Sequence, residues 1–162
     1  MDFQRRVLEK KVVIGFFGLS PKGLEMAVKA ASEGYKVICF DTRDFKRDMV
    51  RKGISFSDNV RDSDLRALVE RGMISVSSDF SRISDLDILS VLIPVEYIDV
   101  PGIYDIEEMA GIVADNMKCG LIICLEDFDR TENLKLIMDK RLTSSGFRYN
   151  RDYVFGAYSL SS

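Results

Sequence analysis

The chain of 162 residues has the length of one compact domain and can bury a sizeable core. Hydrophobic residues make up 46% and charged residues 30%, which excludes wholesale disorder. The net charge of −3 offers no basic face to nucleic acid.

The residues Met1 to Lys11 are charged and carry no signal-peptide core. Lys11 to Gly18 reads as a buried strand closed by glycine. Leu24 to Glu33 follows as a helix, with Leu24, Ala27, Val28 and Ala31 on one apolar face. Gly34 ends it, and Tyr35 to Phe40 is a second strand. Polar helices are expected over Asp44 to Lys52 and Asp62 to Arg71, then a weaker strand over Ile74 to Ser77. Asp87 to Ile93 is a strand stopped by Pro94, and Ile106 to Met117 a helix. Gly120 to Leu125 is a further strand, Thr131 to Leu142 a helix and Tyr153 to Tyr158 a last strand.

Strands alternating with helices predict an α/β fold, a mainly parallel sheet covered on both faces. Two βαβαβ halves give a three-layer, doubly wound Rossmann-type domain over 1–162, with strand order 3-2-1-4-5-6. Ligands then bind beyond the carboxyl ends of the strands, where the order reverses. The loops after Gly18, Phe40, Ile93 and Leu125 should surround that crevice.

The turn Gly18-Leu19-Ser20-Pro21-Lys22-Gly23 has the spacing of G-x-G-x-x-G, with Ser20 at the middle glycine. The first glycine makes the turn, and the third lets helix and strand pack closely. The middle one admits a pyrophosphate to the helix N-terminus, where Ser20 adds a side chain and Pro21 removes a donor. Asp41 ends the second strand roughly twenty residues on, where an acid holds the ribose hydroxyls of NAD and disfavours the 2′-phosphate of NADP. Arg43, beyond Thr42, softens that preference. The plainer reading makes the glycine segment a tight turn and Asp41 a helix cap.

There is no histidine, which removes the commonest general base and metal ligand. No metal site is expected. Cys39 and Cys124 sit in apolar runs and read as buried thiols. Phe16 and Phe17 read as core. Asp58, Asp62, Asp64, Asp85, Asp87, Asp127 and Asp129 read as solvated loops and helix caps, and Arg141, Arg148 and Arg151 as surface arginines. Tyr97 and Tyr104 lie in a loop over the crevice.

The stretch Val13 to Ala27 resembles the first βα unit of the UDP-glucose/GDP-mannose (nucleotide-sugar) 6-dehydrogenase family, and is also similar to β-hydroxyacid dehydrogenases. Leu68 to Phe80 resembles the run into that family's "TTDF" element, and Leu86 to Pro94 its fourth strand and "VPTP" loop. Leu125-Glu126 stands at "LEST" and Gly156 to Ser159 at "AYSPER". The resemblance implies an N-terminal NAD-binding domain of an oxidoreductase. It places Gly18, Leu19, Ser20, Pro21, Lys22, Gly23, Asp41, Thr42, Arg43, Lys46, Pro94, Val95 and Glu126 around the cofactor.

Three family positions differ: the threonine of "VPT" is Val95, the Ser-Thr of "LEST" is Asp127-Phe128, and the glutamate of "SPE" is Ser161. The family's helical dimerisation domain and second Rossmann-like domain, with the thioester-forming cysteine, are expected to be absent, and no catalytic residue is assigned. Three readings remain open: a cofactor domain completed by a partner chain or homo-oligomer, a non-catalytic dinucleotide module, or an excised domain. A cytoplasmic protein without a membrane or nucleic-acid partner is the expectation.

Overall fold

The computed structural model describes residues 2–92, 106–126 and 131–158, and the side chains of 2–92, 107–125 and 134–156. The elements run α1 (Phe3–Leu8), β1 (Val13–Phe17), α2 (Pro21–Ser32), β2 (Lys36–Phe40), α3 (Asp44–Arg51), α4 (Asp62–Glu70) and β3 (Ile74–Ser77). A 3-10 helix (Phe80–Asp85) leads to β4 (Ile88–Val91), α5 (Ile106–Asn116), β5 (Leu121–Glu126), α6 (Thr131–Ser144) and β6 (Tyr153–Tyr158).

The six strands form one sheet in the order β3-β2-β1-β4-β5-β6, and every pairing is parallel. Both the doubly wound order and the switch between β1 and β4 agree with the sequence reading. One face packs Phe16, Val37 and Cys39 against Leu24, Ala27, Leu65 and Leu68 of α2 and α4. The other packs Phe17, Phe40, Leu89 and Ile123 against Met109, Val113 and Met138 of α5 and α6. Phe80 stacks on Phe17 at 5.5 Å between ring centroids, tying the 3-10 helix to the carboxyl end of β1. The expectation that Phe16 and Phe17 are core holds, at 3% and 0% exposure.

Several boundaries move. Helix α2 starts at Pro21 rather than Leu24, because Ser20 caps it and Pro21, with its fixed φ, occupies the first helical position. Strand β4 runs over Ile88–Val91, although the Asp87 backbone just before it already bonds to Val13 and Ile122 of the neighbouring strands; Ile93 lies outside the described residues. Helix α1 and the 3-10 helix carry no apolar periodicity and were not expected. Asp87 is not a solvated cap: it is buried, accepting hydrogen bonds from Arg6 Nη2 at 2.8 Å and Val13 N–H at 2.9 Å. Cys39 is buried as expected and Cys124 only half-buried. Among the described residues, no helix is long and apolar enough to cross a membrane.

Candidate dinucleotide site

The glycine turn lies at the carboxyl end of β1, next to β4, where the strand order reverses. Gly18 has φ +99°, a left-handed conformation that favours glycine. A Cβ there would also sit 3.0 Å from the Leu92 carbonyl oxygen. The Gly18 N–H donates to the Phe40 carbonyl at 2.9 Å, so the turn is bonded to the end of β2. A Cβ on Gly23 would meet the Gly18 carbonyl oxygen at 2.8 Å. The first and third glycines therefore have the packing roles their spacing suggested.

Ser20 does something different from the glycine it replaces. Its Oγ accepts the Gly23 N–H at 3.0 Å, which satisfies one of the orphan donors at the helix start. That donor is one a bound pyrophosphate would use. Leu19 between them is fully buried, while Pro21 is exposed and Lys22 half-buried.

Asp41 stands where the ribose-binding acid was expected, directly after β2, but its surroundings are closed. It has 0% exposure. Oδ2 accepts the Leu19 N–H at 2.8 Å and Arg43 Nη2 at 2.6 Å. Oδ1 accepts the Arg43 N–H at 2.9 Å and Arg43 Nε at 2.8 Å. An ionised carboxylate offers about four lone-pair positions, and these four donors take them. Burial pushes the carboxyl up, but the Arg43 side chain, the Arg43 and Leu19 amides and the Arg43 charge outweigh it and hold it below the usual carboxylate value. Asp41 thus fastens the glycine turn to the start of α3.

The first turn of α3 adds more charge. Lys46 places its ammonium 3.6 Å from the Phe56 ring centroid. Burial and then the nearby Arg43 charge lower its pKa, against the opposing pull of Asp41. Thr42 is exposed. Sequence reasoning missed Arg47, which is 8% exposed, donates from Nη1 to the Asp41 carbonyl at 2.6 Å and pairs through Nη2 with Asp44. Its Nε is buried without a partner. The available signal was its three-residue spacing from Val50, which puts both on one helix face.

Burial, and then the Asp41 charge, push the Cys39 thiol up to about 12, so it has no thiolate character near neutral pH. Pro94, Val95, Tyr97, Tyr104, Asp127, Phe128, Asp129 and Ser161 lie outside the described residues. Glu126 is the last residue of β5, and its side chain also lies outside them. A groove of about 550 Å³ lies between α5 and α6, lined by Glu107, Gly111, Leu136 and Arg141 among others. None of the glycine-turn residues or Asp41 lines it.

No protein-family model and no curated protein matches this sequence. Solved structures do match in shape. An NDP-N-acetyl-D-galactosaminuronic acid dehydrogenase from Methanosarcina mazei superposes with a TM-score of 0.73 and 20% identity, over 100% of this chain and 38% of its own. The fold is that of nucleotide-sugar dehydrogenases. A UDP-D-ManNAc dehydrogenase from Pyrococcus horikoshii gives a TM-score of 0.75 at 20% identity, over 93% of this chain and 36% of its own. GDP-mannose dehydrogenase from Pseudomonas aeruginosa gives 0.68 at 20% identity, over 90% and 35%. This chain therefore spans little more than a third of the length of these enzymes.

Proposed function

We propose that the chain is a nicotinamide-dinucleotide-binding domain of nucleotide-sugar 6-dehydrogenase type, with NAD(H) as the cofactor the resemblance implies. The observation that carries this reading is the junction of β1, β2 and α2: a left-handed Gly18, a Gly23 with no room for a side chain, and Asp41 at the end of β2. The glycine turn and the α2 N-terminus support the pyrophosphate half of a dinucleotide site, and Asp41 stands at the position of the ribose acid, where holding a ribose hydroxyl requires it to exchange one of its present partners.

In this reading the α2 N-terminus faces the pyrophosphate, with the Gly23 N–H exchanging Ser20 Oγ for a phosphate oxygen; Pro21 has no N–H to give, and the Leu19 N–H stays on Asp41. Asp41, Thr42, Arg43 and Lys46 surround the adenosine ribose. Pro94, Val95 and Glu126 border the nicotinamide side. When bound, the dinucleotide supplies hydride transfer with a nucleotide-sugar alcohol as donor. The residues of this chain bind and orient it, and none is assigned a proton or covalent step. The substrate pocket and the nucleophilic cysteine are contributed from outside these residues, by further domains or a partner chain, in the cytoplasm.

Calorimetric titration of the purified chain with NAD and NADH tests this directly. Saturable one-to-one binding in the micromolar range is expected. Absence of heat at millimolar cofactor, from a chain whose melting curve shows it folded, overturns the reading and leaves a scaffold without a live site.

A further inference from the structure

We propose that the outer edge of β6, with the face of α6 beside it, is where a second copy of this chain docks, joining two sheets edge to edge about a two-fold axis. β6 is the outermost strand, and among the described residues it pairs with β5 alone, apart from a bridge of Tyr149 to Tyr153 at its start. An open edge presents unpaired N–H and C=O groups, and soluble proteins blunt such edges with charge, proline or a very short strand. β6 has none of these: its six residues, Tyr-Val-Phe-Gly-Ala-Tyr, are uncharged and free of proline. By contrast β3, at the other edge, is only four residues long, each of them buried or half-buried.

The surface beside this edge is apolar. Leu136 is 65% exposed, Tyr149 46% and Val154 37%, and exposed hydrophobic residues gathered in one patch mark an interaction surface. Leu136, Tyr149 and Phe155 line a hollow of about 180 Å³ together with Lys135 and Asp139. That cation and that anion point to the occupant. They lie one turn apart on α6 and so share a face. Asp139 has one carboxylate oxygen on the Tyr153 hydroxyl, which leaves the other for a partner. An axis perpendicular to the sheet runs β6 antiparallel to its counterpart, and α6 likewise. Placed midway between the two charged residues, that axis sets Lys135 of each copy against Asp139 of the other, with Leu136 and Tyr149 between. The patch is therefore complementary to itself, as a two-fold contact requires. The glycine turn follows β1, three strands from β6, so docking leaves it open.

Sedimentation velocity of the full chain tests this, with Leu136→Glu, Val154→Lys and Leu8→Glu as variants. Leu8 is a control outside the patch, 81% exposed on α1. At ~100 μM, where a micromolar contact is saturated, the wild type and Leu8→Glu are expected to sediment as dimers. Leu136→Glu and Val154→Lys each put a pair of like charges into the seam and should weaken the dimer by about tenfold or more. A monomeric wild type overturns the proposal and leaves the edge to a different partner. A dimer that both patch variants leave intact, or that Leu8→Glu breaks as readily, overturns it too. So does growth into larger species with concentration, because a two-fold contact closes. Should melting curves show that Val154→Lys does not fold, Leu136→Glu decides, since its side chain is mostly in solvent already.

Discussion

Three aspartates are buried among the described residues, Asp41, Asp87 and Asp152, each held by an arginine and a backbone amide, and the first two lie at opposite ends of the sheet's strands. Asp41 lies at the carboxyl end of β2, bonded to Leu19 N–H and to the Arg43 fork. Asp87 lies at the amino end of β4, bonded to Val13 N–H and to Arg6 Nη2. Listed by chemistry the two look alike, but their positions divide their roles. Asp87 ties α1 and the start of β1 to the sheet at an edge where parallel α/β folds bind nothing. Asp41 ties the glycine turn to α3 at the edge where they bind ligands. A buried aspartate–arginine pair is therefore weak evidence of a site, and the end of the strand it occupies is the stronger evidence.

The largest expected effect breaks this comparison from the structural side. Asp87→Ala strips Val13 N–H and Arg6 of their partner, and removing one member of a buried pair costs about 3 kcal/mol. Arg6 is about a third exposed, which keeps the cost at the low end of that class. Urea denaturation should show the loss, while cofactor affinity of the folded fraction stays unchanged. Asp41→Ala should cost a similar ~3 kcal/mol and also abolish dinucleotide binding, because the glycine turn loses its anchor. If Asp87→Ala weakens cofactor binding as much as Asp41→Ala does, the proposed division of roles is wrong.

Next come the glycines. Gly23→Ala drives a Cβ to 2.8 Å from the Gly18 carbonyl oxygen, a backbone atom that cannot rotate away, and should cost about 2 kcal/mol as an overpacking change. Gly146, at the far end of α6, has φ +93° but open space around its Cβ position. Gly146→Ala should cost only the left-handed backbone penalty of about 1 kcal/mol. Thermal melts of the two variants separate strain in the site from strain in a surface turn, and equal shifts would contradict the close approach at Gly18.

Acid sharpens the comparison further. The folded Asp41 carboxyl lies below its ordinary value despite its burial, because Arg43 and Leu19 stabilise the ionised form. Such a group stabilises the fold fully above the ordinary carboxylate value, and that contribution is lost as pH falls through the depressed folded value. The melting temperature should therefore fall as pH drops below about 4. In Arg43→Gln the folded value moves back up, so this part of the acid dependence should flatten. An acid limb identical in wild type and variant would mean that the Asp41–Arg43 pair contributes no pH-dependent stability.

Most of the fold was legible because its signals are periodic. Short apolar runs alternating with amphipathic helices predict the parallel sheet, and the glycine spacing fixes where α2 begins to pack on β1. What was not legible is aperiodic. Arg47 is charged and buried, against the expectation that a charged position on α3 is solvated. Asp87 looked like one more loop acid, and only the folded chain brings Arg6 to it. The saturation of Asp41 depends on how the backbone turns between Asp41 and Arg43, which no spacing rule encodes. The sequence also made Ser20 and Pro21 look like damage to a phosphate loop, whereas the structure shows a capping residue followed by proline at its preferred helical position.

That last difference yields the smallest stability effect and a sensitive test of the site. Ser20→Ala removes the Oγ that accepts the Gly23 N–H and should lower stability by about 1 kcal/mol, while Ser20→Gly should cost only a few tenths, as flexible N-caps do. The binding consequences run the other way. With glycine at position 20 the Gly23 N–H is released at the start of α2, and the side chain that stands between backbone and pyrophosphate is gone. Dinucleotide affinity should therefore rise in Ser20→Gly even as the melting temperature slips slightly. Calorimetry and melting on the same sample measure both. Affinity that stays level or falls in Ser20→Gly would mean that the α2 N-terminus does not face the pyrophosphate, leaving the glycine turn with a purely structural role like that of the Asp87 end of the sheet.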